Sequence, residues 1–169
     1  MIAAGPGARL PGAGLARRLA SLVYEGLIVA AIVLVAGFAL TPLMSPFASP
    51  GQAPVVPGTA GRLAGFAGLV AVLGAYFVWC WTSGRRTLPM KTWRLAIVDA
   101  AGAPLRAGRA WTRYAAAWIG PAIAVAAYAS THSPLAWLAL AIGYAWALVD
   151  PERAFLHDRL AGTRLVGGA

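Results

Sequence analysis

The chain has 169 residues, of which 60% are hydrophobic and only 11% charged, against about 45–50% apolar and about 25% charged in an ordinary soluble domain. So few polar side chains cannot cover a water-facing surface, which excludes a typical soluble enzyme and points to lipid as the solvent. Fourteen basic residues against five acidic ones give a net charge of +9, and one Cys with two His leaves no disulfide framework and too few soft ligands for a zinc or iron–sulfur site.

A helix that crosses a bilayer needs about 20 mostly apolar residues. Residues 1–18, with Arg9, Arg17 and Arg18, form a basic N-terminal segment. The first span is expected over 19–40, with Glu25 as its one charge, and ends at Thr41-Pro42 because a prolyl nitrogen cannot continue the amide ladder. Basic residues before an apolar run also begin a secretory signal, but this run exceeds the about 7–15 residues of such a segment and contains a carboxylate. The second span, 63–83, carries no charge at all.

Residues 84–113 follow as a basic connection with Arg85, Arg86, Lys91, Arg94, Arg106, Arg109 and Arg113. Within it Trp93, Leu95 and Ile97 alternate with Arg94 and Ala96, and turn-forming residues run from Asp99 to Pro104, so a small β-hairpin is expected. Arg106, Arg109 and Arg113 recur at spacings of three and four, which places a cationic face on a short interfacial helix, turned to solvent or lipid phosphate. The third span is expected over 112–131, with Arg113 snorkelling toward the headgroups. The fourth, 134–149, covers only about 24 Å at α-helical rise. A tail of residues 150–169 completes the chain.

The fold class expected is therefore an all-α membrane protein of four transmembrane helices, with a basic cytoplasmic loop between helices two and three. Lys and Arg accumulate in short cytoplasmic segments, and thirteen of the fourteen basic residues fall on one side of this arrangement, Arg62 being the exception. Both termini are then cytoplasmic at a bacterial-type inner membrane, membrane lipids become the partners, and the positive charge is accounted for without nucleic acid. Trp79, Trp81, Trp111, Tyr114 and Trp146 lie near span ends, as interfacial rings do. Small residues at every fourth position, in Ala116-Gly120-Ala124, Ala139-Gly143-Ala147 and Gly61-Gly65, are expected to let the helices pack closely.

Three motifs carry a family likeness. The segment from Arg18 to Glu25, the central Thr87-Leu88-Pro89-Met90-Lys91 followed by Arg94 to Asp99, and the closing Leu156-His157-Asp158-Arg159-Leu160-Ala161-Gly162-Thr163 resemble the opening, middle and closing motifs of the RDD family. Glu25 stands where that family usually has Asp, and Arg86 and Pro89 replace its usual Gln and small residue. The resemblance implies a small multi-span inner-membrane protein, mostly of unassigned activity, with ion or proton-coupled transport suggested for some relatives. Its motif positions here are Arg18, Glu25, Thr87, Lys91, Asp99, Asp158 and Thr163, and Arg113 joins them as a candidate functional residue.

Glu25 lies about 10 Å along the helix from Arg18 and within about 20° of the same face. An acid that deep in a span must face protein or water, and it marks a candidate functional site. Two roles stay open for it: packing and assembly, with a homo-oligomer as a candidate partner, or coupling to a monovalent cation or proton. Asp158 is expected to hold the tail by an ion pair, against Arg18 or the central loop, and His157 to be a partly exposed imidazole. Cys80 has no base placed to activate it, so no enzymatic activity and no cofactor are expected.

Overall fold

The computed structural model describes residues 14–44 and 56–167; Arg9 and residues 45–55, between the first two expected spans, lie outside them. In chain order the elements are α1 (Leu15–Met44), α2 (Thr59–Trp81), α3 (Leu88–Thr92), β1 (Leu95–Asp99), α4 (Ala107–Ala117) and α5 (Ile119–Thr131). A 3₁₀ segment (Pro134–Ala141), α6 (Ile142–Ala145), a second 3₁₀ turn (Trp146–Leu148), α7 (Leu156–Ala161) and β2 (Thr163–Gly167) follow.

Two helices, α1 and α2, are long and apolar enough to cross a membrane. They run against one another, with Glu25 meeting Tyr76 and Leu40 packed on Gly68. Leu27, Leu34, Val35 and Phe38 on α1 are each 62–74% exposed, an outward surface that suits hydrocarbon and not water. The helix extends beyond the expected span at both ends. It takes Arg17 and Arg18 into its first turns and continues past Pro42 to Met44, since a single missing N–H near a helix end removes only one bond.

The third apolar segment is broken. Helix α4 ends at Ala117 and α5 begins at Ile119, with Trp118 between them. Pro121 has no N–H to offer the Ala117 carbonyl, so an unbroken ladder cannot pass this point. The fourth segment is mostly 3₁₀ and not a continuous α-helix. It packs closely on α5, because a Cβ on Gly120 would stand 3.1 Å from the Ala139 carbonyl oxygen. The small-residue expectation holds at Gly120, Ala124 and Gly65, all buried, whereas a Cβ on Gly143 would meet nothing within 4 Å.

The expected hairpin within 84–113 is replaced by a longer-range pairing. The alternating run does form a strand, but β1 pairs antiparallel with β2 from the tail, from Leu95 opposite Gly167 to Asp99 opposite Thr163. The turn after Asp99 contributes only an isolated bridge between Val98 and Pro104. Gly162, at φ 61°, terminates α7 in the left-handed conformation and turns the chain into β2. Leu95, Ile97, Leu105 and Leu165 form one core with Trp81, Met90 and Tyr114, so loop and tail together make a cap on the C-terminal end of α2.

Candidate functional site

Helix α4 turns its Ala110, Arg113 and Tyr114 inward, at the i, i+3, i+4 spacing of one helix face. The expectation that Arg113 snorkels to headgroups is corrected: it is 5% exposed and forms an ion pair with Asp158, which has no exposed surface. Arg113 Nη1 also donates to Thr163 Oγ1 at 2.9 Å. The Trp81 ring lies 4.9 Å from the guanidinium carbon, a cation–π contact. Arg113 Nη2 faces His157 Nε2 at 3.3 Å; a guanidinium has no acceptor, so it donates and Nε2 must be unprotonated.

His157 is therefore neutral and only partly buried, in keeping with the partly exposed imidazole expected. Burial first, and then the Arg113 cation, hold its pKa well below the usual histidine range. Of the two partners expected for Asp158, the central loop supplies the ion pair, through Arg113, and Arg18 is engaged elsewhere. Its Nη1 donates to the Arg153 carbonyl at 2.6 Å and its Nη2 to the Leu165 carbonyl at 3.3 Å. The tail does dock on the start of α1, but through backbone oxygens.

A second node surrounds Glu25. Tyr76 donates to one carboxylate oxygen at 3.3 Å and Thr87 to the other at 2.7 Å. Thr87 is held in place because it also caps α3, accepting from Met90 N at 3.4 Å. Tyr76 was not singled out from the sequence, although a phenol inside a charge-free span is a signal, since a buried hydroxyl needs a partner. Lys91 and Asp99 stand apart from both nodes. Lys91 is exposed in the last turn of α3, while Asp99 accepts from the N–H groups of Ala101 and Ala103, both at 2.9 Å, and pairs with Arg109 at 3.2 Å.

Among the described residues, Glu25 is the only carboxylate without a basic partner within salt-bridge distance. Asp150 pairs with Arg159 at 2.7 Å, and the Ala154 N–H, then Arg159, hold its carboxyl below the usual range. Glu152 pairs with Arg164 at 3.2 Å. No group of three or more His, Cys, Asp or Glu that could hold a metal ion occurs among the described residues. A partly open cavity of about 370 Å³ joins the two nodes: Arg18, Glu25, Arg113 and His157 line it, and so do Phe77 and Trp118.

No curated protein and no solved structure matches the chain. The family model for the RDD family matches residues 12–162, a range that includes Arg18, Glu25, Thr87, Arg113 and Asp158, and the chain thus belongs to the RDD family.

Proposed function

We propose that this chain is a non-enzymatic, multi-pass inner-membrane protein with a structural and lipid-interacting role, both termini facing the cytoplasm. The observation that carries this is where the charges go. Arg18, Arg113 and Asp158 are buried and spent on fastening the cap to the helices, while the other basic residues of the connection and tail are at the protein's outer surface or partly so, where anionic headgroups attract them. A crossing by the fourth segment is supported by length. With about 2.0 Å rise in 3₁₀ turns and about 1.5 Å in α-turns, Pro134 to Leu148 extends about 28 Å, close to the hydrocarbon thickness. A vesicle-binding comparison tests the role: purified protein in nanodiscs should be stabilised by anionic lipid, and equal stability in neutral and anionic discs would refute it.

A second reading is cation or proton-coupled transport through Glu25, favoured by that carboxylate lining the cavity without a basic partner. In proteoliposomes, Glu25→Gln should then abolish a cation-dependent pH change that the wild type shows. Wild-type traces equal to empty liposomes would exclude transport by the isolated chain.

A further inference from the structure

We infer that the cavity binds an amphiphile carrying an ammonium group, with the ammonium on Glu25 and the apolar body extending out between α1 and α4–α5 into the bilayer. This rests on the lipid-interacting role proposed above and adds, to the anionic headgroups at the basic surface, a separate site for a cationic one. The cavity of about 370 Å³ falls in the range of ligand pockets, about 300–1,000 Å³. Its wall includes Leu22, Gly26 and Val29 of α1, Phe77 of α2, Ala117 of α4 and Pro121 of α5. Gly26 and Ala117 line it while remaining exposed, so it is open on the flank of the helices.

Glu25 is the only acid in this lining. Its two oxygens accept one hydroxyl each, whereas a carboxylate offers about four acceptor positions. The basic groups nearby are engaged elsewhere: Arg113 by Asp158, Thr163 and the Trp81 face, and Arg18 by two carbonyls of the cap. Phe77, Tyr114, Trp118 and Tyr144 add aromatic rings to the same lining, and ring faces attract ammonium groups. A carboxylate with no basic group within salt-bridge distance, on which the Arg113 charge acts only from farther off, several aromatic rings and a lateral opening together select a cationic nitrogen on an apolar chain. An ethanolamine phospholipid of the surrounding leaflet and a free long-chain amine share that chemistry.

The test uses full-length protein in nanodiscs. In the first arm the discs contain equal amounts of phosphatidylethanolamine and phosphatidylglycerol, and lipid retained on the released protein is counted by native mass spectrometry. In the second, discs of phosphatidylglycerol alone are titrated with octadecylamine or octadecanoic acid while thermal stability is followed. Preferential retention of phosphatidylethanolamine identifies the lipid as the source, and stabilisation by octadecylamine without such retention identifies the free amine. In either case Glu25→Gln should weaken the preference about tenfold. Ala117→Leu, which fills the opening from an exposed position and leaves Glu25 intact, should weaken it as well. Equal retention of both lipids, together with equal shifts by amine and acid, overturns the inference but leaves a lipid-interacting role standing. Absence of any retained lipid and of any amine shift overturns both.

Discussion

Asp158 and Arg113 bury opposite charges against each other, and such a pair behaves differently when one partner or both are removed. Losing one partner strands a buried charge and costs about 3–5 kcal/mol, whereas apolar replacement of both can be close to neutral. Asp158→Ala should therefore sharply lower the unfolding temperature in detergent, while Arg113→Met with Asp158→Leu should recover most of the loss. A double variant as unstable as the sum of the singles would show that the residues are not coupled. Exchanging charges between Arg18 and Asp158 should rescue nothing, because Arg18 is held by carbonyl oxygens. His157 adds a pH dependence. Its folded pKa is depressed, so the unfolded chain binds the extra proton, and stability is complete above about pH 6.5 and falls as pH drops below it. His157→Gln keeps an acceptor for Arg113 but cannot titrate, so it should flatten the loss between about pH 7 and 5.5. Wild type and variant losing stability in parallel would place the titration elsewhere.

Helix existence was legible in the apolar runs because their cause is local; breaks and partners were less so. The Gly120-Pro121 pair was present in the sequence and carries the physical reason for the break at Trp118, yet apolar length alone favoured a continuous span. The strand at Leu95–Asp99 was visible as a period-two run, but its partner lies in Thr163–Gly167, and nothing in a two-residue period says which distant strand will pair with it. Asp158 was marked by its motif as a tether, while its true partner depends on which face of α4 turns inward. Close approach is similarly a property of two elements. A Cβ on Gly74 of α2 would stand 2.9 Å from the Trp111 ring of α4, whereas one on Gly37 would meet nothing within 4 Å. Gly74→Ala should thus destabilise by about 1–3 kcal/mol through overpacking, despite the better helix propensity of Ala. Gly37→Ala should be neutral or stabilising by up to about 1 kcal/mol. Equal effects in thermal unfolding would mean that α4 does not seat on α2 at Gly74.

At the scale of the whole molecule, charge asymmetry and the cap make the same demand on orientation. The cap joins residues of the connection and the tail into one body through β1 and β2, so both must lie on one side of the membrane whatever the number of crossings. In the orientation proposed above, which follows the positive-inside rule, that side is the cytoplasm. The turn at His132-Ser133 between α5 and the 3₁₀ segment then faces outward, provided that α4–α5 crosses despite its break. Cysteine placed at Ala100, which is exposed in the turn after β1, and separately at Ser133 tests this in a Cys80→Ala background that removes the native thiol. An impermeant maleimide added to intact cells should label position 133, and should label position 100 only after permeabilisation. The reverse pattern would invert the topology. Protection of both positions until permeabilisation would place the α5 hairpin on the cap's side, leaving α1 and α2 as the crossings and the broken third segment as an interfacial element.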